Sequence, residues 1–432
     1  MKKLIKSQAT IKVQVLLTGN ELMSGVTTDS NSAMIADKLA TIGMALSRKV
    51  TIGDDMDVLV EEMEALSLNS DVLVVNGGLG PTIDDLTSEA VSKLIGKPLV
   101  ENTQAIAHLE GWCRARSYPL NQANRKQAFL PEGAEVVANA VGSAVGFTVK
   151  WNNCVIICTP GVPSELRVML DKEILKLLIE DFPNAVAPSI TRLQLFGLGE
   201  SGLQQSISDD FPDWPANVEV SFRAGVPTLE LKLTTFTEED EPEKELWKTK
   251  LLLNIGDYVV GEGSTDLQTE VVALLADQNK TLTTVESCTG GLIASKITEV
   301  PGASAVFQAG FVTYSDDMKK QLVGVPDSAF NANGAVSEAV VKEMVKGGLK
   351  ISGADLGVAV SGIAGPDGGT DSKPVGTVWI AWGSDDTIYT QRLVIGRNRK
   401  LFQLMVSAIA LDLIRRLLLN IQEPPVYFST YQ

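Results

Sequence analysis

Two stretches of the 432-residue chain hold side chains whose types and spacing could do chemistry. The first begins at E-S-C-T-G-G (286–291), where Ser287 falls at the point a strand gives way to a glycine-rich helix start. Such a turn exposes a hydroxyl at a sheet edge and leaves backbone N–H groups free to face a ligand. The N–H groups of Cys288, Thr289, Gly290 and Gly291 could hold a phosphate or an oxyanion. Ser287 or Thr289 could equally cap the helix and do nothing more. Lys319 and Lys320 follow Tyr314 in G-F-V-T-Y-S-D-D-M-K-K, and on a helix the two lysines point in different directions. One can then be buried toward a site, where its pKa falls and it becomes a base; both could instead be surface charges. Ser361 and Gly362 open a second glycine-rich loop, S-G-I-A-G-P-D-G-G (361–369), of a kind that lets backbone approach a ligand. Arg399 begins a long helix, where its charge opposes the dipole, so anion binding is one reason for its place. The second stretch is T-G-N-E-L (18–22) with Asn20 and Glu21, followed by N-G-G-L-G-P-T-I-D-D-L-T (76–87). Gly77, Gly78 and Gly80 permit a tight turn against a phosphate beside Thr82, and Asp84 and Asp85 could hold a hard divalent cation. Such a cation acts as a Lewis acid and positions water. The same aspartates could simply cap the next helix.

What the chain lacks narrows the chemistry further. It has one histidine, His108, in a helical stretch without a catalytic signature, so a multi-histidine metal site within the chain is excluded. A serine nucleophile would then depend on a lysine, a tyrosine or a carboxylate. The net charge of −16 disfavours nucleic acid as a partner. No apolar run is long enough to span a membrane, and no signal peptide is visible, so a cytoplasmic protein is expected. The four cysteines, among them Cys154 and Cys158 on one strand face, read as reduced thiols.

The elements that must position these residues suggest an α/β chain of three domains. Residues 1–175 alternate strand and helix, as in an α/β domain with a largely parallel sheet. Residues 176–262 read as a small α+β module without evident chemistry. Residues 263–432 alternate again and close on the helix Arg399–Leu418. In such sheets ligands bind beyond the carboxyl ends of the strands, where both motif sets fall.

E-S-C-T-G-G (286–291), G-F-V-T-Y-S (310–315), G-A-V-S-E (334–338) and S-G-I-A-G-P-D-G-G (361–369) occur in that order over about 150 residues. Together they closely resemble the C-terminal domain of the CinA family and the stand-alone nicotinamide mononucleotide deamidases. The resemblance implies hydrolysis of the carboxamide of nicotinamide mononucleotide to nicotinate mononucleotide and ammonia, in pyridine nucleotide salvage. It implies Ser287 as nucleophile, Lys319 as its base and Tyr314 as an aid to proton transfer or positioning. Thr289, Gly290, Gly291, Ser361, Gly362 and Arg399 would contact the substrate, with no cofactor. The family usually has G-D-R before the last helix; this chain has G-R-N-R, so Arg397 competes with Arg399 for that role.

The first region resembles the molybdopterin-binding fold of the MoaB and MogA proteins in its CinA version. N-R-K-Q-A-F-L-P-E-G-A (124–134) and P-G-V-P-S-E-L (160–166) extend the likeness. In that family the domain is linked to a metal-dependent ADP-ribose pyrophosphatase. Here Asn20, Ser30 and Val145 stand where the family commonly has Asp, Thr and Pro. An N-terminal domain that is degenerate and serves dimerisation therefore stays open. So do a non-enzymatic competence-related partner protein and, more weakly, a molybdopterin-handling enzyme. A homodimer is the expected assembly.

Overall fold

A computed structural model describes residues 11–330 and 334–432. The chain is α/β and divides into two compact units, Met1–Pro188 and Ser189–Gln432. The strands of the first unit are β1 (Lys12–Thr18), β2 (Ala45–Ile52), β3 (Val72–Asn76), β4 (Leu99–Glu101), β5 (Phe129–Pro131), β6 (Glu135–Val137), β7 (Gly146–Trp151) and β8 (Cys154–Thr159). Six of them form one sheet in the order β2-β1-β3-β8-β7-β6, and β4 pairs with β5 apart from it. The members from β2 to β8 run parallel, and β7 and β6 are antiparallel additions. The central V-L-V-V-N of β3 is buried throughout, because helices cover both faces. Leu73 and Val75 enter one core while Val72 and Val74 enter the other, the period-two alternation of a strand. Cys154 and Cys158 share the first of those cores as free thiols, and burial pushes both thiol pKa values up.

The second unit holds two sheets. β9 (Ser189–Leu195), β10 (Glu219–Ala224), β11 (Leu229–Thr235) and β12 (Val259–Glu262) form an antiparallel sheet in the order β10-β11-β9-β12. β13 (Leu282–Glu286), β14 (Phe307–Val312), β15 (Leu356–Gly362), β16 (Thr377–Gly383) and β17 (Ile388–Val394) form the other, ordered β14-β13-β15-β16-β17. β14, β13 and β15 are parallel, so the loops after all three meet at one sheet end. The expected strand pair near the C-terminus is the antiparallel β16–β17 ladder.

Two helices sandwich this sheet. Arg399–Leu418 lies over Val358 and Val360, and Glu338–Ser352 lies over Val285, Ala359 and Ala381. The long helix is also tied to the end of β12 by a buried polar knot. Arg415 pairs with Asp412 at 2.8 Å and donates to the carbonyls of Asp257 and Val259. Tyr427 donates to the other oxygen of Asp412. Removing one partner would strand a buried charge, which typically costs about 3–5 kcal/mol. Among the described residues no helix is long and apolar enough to cross a membrane.

Candidate active site

Ser287 directly follows β13, and its N–H continues the ladder by donating to the carbonyl of Val360 on β15, 3.1 Å away. The next residues turn: the Gly290 N–H returns to the Ser287 carbonyl, and Gly290 and Gly291 both have positive φ, +66° and +98°. Glycine is the residue that enters this left-handed region without strain. The helix that follows, Leu292–Thr298, is capped by neither Ser287 nor Thr289. Its cap is the carboxylate of Glu286, buried at the end of β13. That carboxylate accepts from the N–H groups of Gly291, Ile293 and Ala294 at 3.0, 3.0 and 2.8 Å. An anion at a helix start is favoured by the dipole and by the orphan donors. The expectation that four successive N–H groups face a ligand is therefore corrected. Glu286 and Ser287 use those of Gly291 and Gly290. Among the described residues, Cys288 and Thr289 keep N–H groups that donate to no other residue.

Lys319 is brought to Ser287 by the helix Asp316–Val323, whose N-cap is the side chain of Ser315. Its Nζ is 3.2 Å from Ser287 Oγ and 3.0 Å from the carbonyl of Thr313. Lys319 is 1% exposed and Ser287 8%, whereas Lys320 points outward to Asp327. Burial pulls the Lys319 pKa below the usual lysine range, with Asp316, 3.8 Å away, opposing that shift. The Cys288 thiol beside it is pushed up to about 12 by burial, which makes it a poor nucleophile.

The other expected residues divide. Arg399 donates to the Tyr314 hydroxyl and to the Gly365 carbonyl, both at 2.9 Å, so it joins two loops at the mouth of the site. Arg397 is exposed, and among the described residues its side chain makes no such bond. Ser361 is buried and donates to the Ala335 carbonyl, which pins the segment before the helix Glu338–Ser352. Gly362 has a packing reason: a Cβ there would meet the Thr377 carbonyl of β16 at 2.8 Å. Thr289 Oγ1 and Thr313 Oγ1 are buried and have no hydrogen-bond partner among the described residues. The sequence reading missed Glu286 and Gln403. Gln403 lies one turn beyond Arg399 and donates to the Cys288 carbonyl at 2.8 Å. The i, i+4 spacing from Arg399 puts the two on one helix face, the signal that could have found it.

The N-terminal residues line a cleft of about 640 Å³ at the carboxyl ends of β1, β3 and β8. Asn20, Glu21, Gly77, Gly78, Gly80, Thr82, Asp84 and Asp85 all border it. Here too the turn is held from within. Asp85 accepts from both the N–H and the hydroxyl of Thr82, at 2.7 and 2.6 Å, so it caps the preceding turn and not the following helix. Gly78 has φ +67°, and a Cβ would meet Thr87 Oγ1 at 2.4 Å, so protein packing already requires it. Asn20 is locked to Asp54 in both directions, at 3.0 and 3.2 Å, and Asp54 also takes the Thr18 hydroxyl. Asp54 is a cleft carboxylate outside the quoted motifs, and Glu165, inside P-G-V-P-S-E-L, is one that was not singled out. Asp84 is exposed, and no group of three or more His, Cys, Asp or Glu among the described residues is placed to hold a metal ion. Asp84 and Asp85 thus do not make a cation cage by themselves. His108 lies on the helix Thr103–Ala115 of this unit and contacts the Gly142 carbonyl at 3.0 Å.

Comparison with known proteins matches residues 264–418 to the CinA C-terminal domain and residues 14–180 to a probable molybdopterin binding domain. A CinA-like protein of Colwellia psychrerythraea is 50% identical over 421 residues, covering 97% of this chain and 98% of that protein. One from Geotalea uraniireducens is 36% identical over 419 residues, covering 96% and 100%. Among solved structures, a competence-damaged protein (CinA) superfamily protein from Klebsiella pneumoniae is 37% identical. It covers 36% of this chain and 96% of its own, with a TM-score of 0.35.

Proposed function

The chain belongs to the CinA family, and from that premise we propose that its C-terminal part hydrolyses the carboxamide of nicotinamide mononucleotide. The observation that carries this reading is the contact between a buried lysine and a buried serine, 3.2 Å apart, at the end of a parallel strand. Neutral Lys319 takes the proton of Ser287 Oγ as that oxygen attacks the amide carbon. The oxyanion so formed meets the N–H groups of Cys288 and Thr289. Collapse breaks the C–N bond, and the Lys319 ammonium returns its proton to the departing ammonia. Water then attacks the ester on Ser287 with Lys319 again as base, releasing nicotinate mononucleotide. Arg399 and Tyr314 stand where they can orient the substrate. The experiment is product analysis: ammonia and nicotinate mononucleotide should appear in equal amounts from nicotinamide mononucleotide. Release of free nicotinamide would instead mean cleavage of the glycosidic bond and would defeat the reading.

A second reading concerns the N-terminal cleft, whose volume and position beyond three parallel strand ends suit a nucleotide. An ADP-ribose pyrophosphatase there would need a divalent cation held jointly with the substrate's phosphates, since the described residues offer no cage. Turnover of ADP-ribose with added magnesium, lost on chelation, tests it; no turnover with any divalent cation would favour a non-catalytic domain.

A further inference from the structure

We infer that Gln403 is a positioning residue that aims the Thr289 N–H at the reacting carbonyl oxygen. This rests on the reading of Ser287 as a nucleophile. One peptide unit joins Cys288 to Thr289. It is planar and trans, so its C=O and N–H point in opposite directions. Gln403 Nε2 holds the C=O at 2.8 Å. Gln403 comes from the helix Arg399–Leu418, which covers one face of the sheet. Lys319 comes from the helix Asp316–Val323, which packs with Glu338–Ser352 on the other face. Holding the carbonyl toward the first face turns the Thr289 N–H away from it, toward the side where Lys319 meets Ser287.

The peptide before it is already held through its carbonyl, which accepts from Gly290, and that leaves the Cys288–Thr289 peptide to be fixed. Ser287 N–H belongs to the sheet, Gly290 N–H to the Ser287 carbonyl and Gly291 N–H to Glu286. Among the described residues no other side chain donates to the Cys288 carbonyl. The two glycines that follow, Gly290 and Gly291, give the turn freedom to rotate if that bond is lost. A carbonyl is an acceptor only, so the side chain facing it must donate. Glutamine does so, an ionised glutamate of the same shape does not, and leucine cannot.

The test compares wild type with Gln403→Leu, Gln403→Glu and the donor-retaining Gln403→Lys. Two readouts are taken: steady-state ammonia release from nicotinamide mononucleotide, and the rate at which a fluorophosphonate labels Ser287. In the labelling step the Ser287 Oγ–P bond forms, fluoride leaves and Lys319 takes the proton. The same N–H groups are needed to stabilise the phosphoryl oxygen. A misplaced donor should lower kcat about 10²-fold in the leucine and glutamate variants, with KM unchanged. Labelling should slow in parallel, and Gln403→Lys should recover much of both rates. Variants that keep wild-type kcat and labelling, or that raise KM alone, would overturn the inference. Wild type that labels at Ser287 but releases no ammonia would defeat the substrate reading, while the labelling rates would still decide the role of Gln403.

Discussion

The turn at 286–291 and the turn at 77–87 look alike in sequence and differ in what they leave available. Each follows a buried parallel strand, carries glycines with positive φ and leads into a helix. In each a carboxylate ties down the turn from within: Glu286 takes three helix N–H groups, and Asp85 takes the N–H and hydroxyl of Thr82. The difference is the burial of what remains. Beside Ser287 stands a lysine removed from water, whose proton is loosened by that removal. Around Gly78 the cleft is wide, and Asp84 is exposed to solvent. Backbone geometry alone therefore does not separate a reactive turn from a binding turn; desolvation of a titratable partner does.

The sharpest way to test that difference is to remove the buried charge. Lys319→Met should lower ammonia release by about 10²–10⁴-fold, the usual range for a general base. The same change should leave the melting temperature unchanged or higher, because an uncompensated buried ammonium is replaced by an apolar chain of similar size. A large fall in stability would mean that Lys319 is structural.

The pH dependence follows next, with a definite sign. Activity should rise with pH as Lys319 loses its proton, with the limb below the ordinary lysine value of about 10.4. Asp316 favours the charged form, so Asp316→Asn should move the limb to lower pH, by a small amount because Asp316 is mostly exposed. For stability the folded pKa is the lower one. The cost of burying the ammonium is present in full below it, and is relieved as pH rises toward the unfolded value. A limb that stays put in Asp316→Asn would show that another group titrates.

The smallest effects belong to the other turn. Gly78→Ala, at φ +67° and against Thr87, should destabilise the first unit by more than about 1 kcal/mol. Asp85→Ala should cost about 1 kcal/mol, as loss of a cap does. Neither should change ammonia release. A change in either variant would mean that the two turns are not independent.

Much of this was legible in the sequence. The strands before the Gly-rich motifs, the β16–β17 pair and the limits of the closing helix follow from period and punctuation. Ser287 and Lys319 were legible as types, but they are 32 residues apart and only the fold gives them a common place. Glu286 was hidden because Ser and Thr are the expected caps, and a strand-end carboxylate reaching over the turn has no local signature. Asp85 misled for the related reason that it serves the turn before it. Gln403 shares a helix face with Arg399, a spacing the sequence shows, but its partner Cys288 lies 115 positions away and is given only by the fold.

The most direct test of the central claim is ammonia release from nicotinamide mononucleotide by wild type and Ser287→Ala, with EDTA present throughout. Wild type should release ammonia and the variant should lose at least about 10³-fold of that rate, as for other nucleophile deletions. An undiminished Ser287→Ala, or no release from wild type, would contradict it.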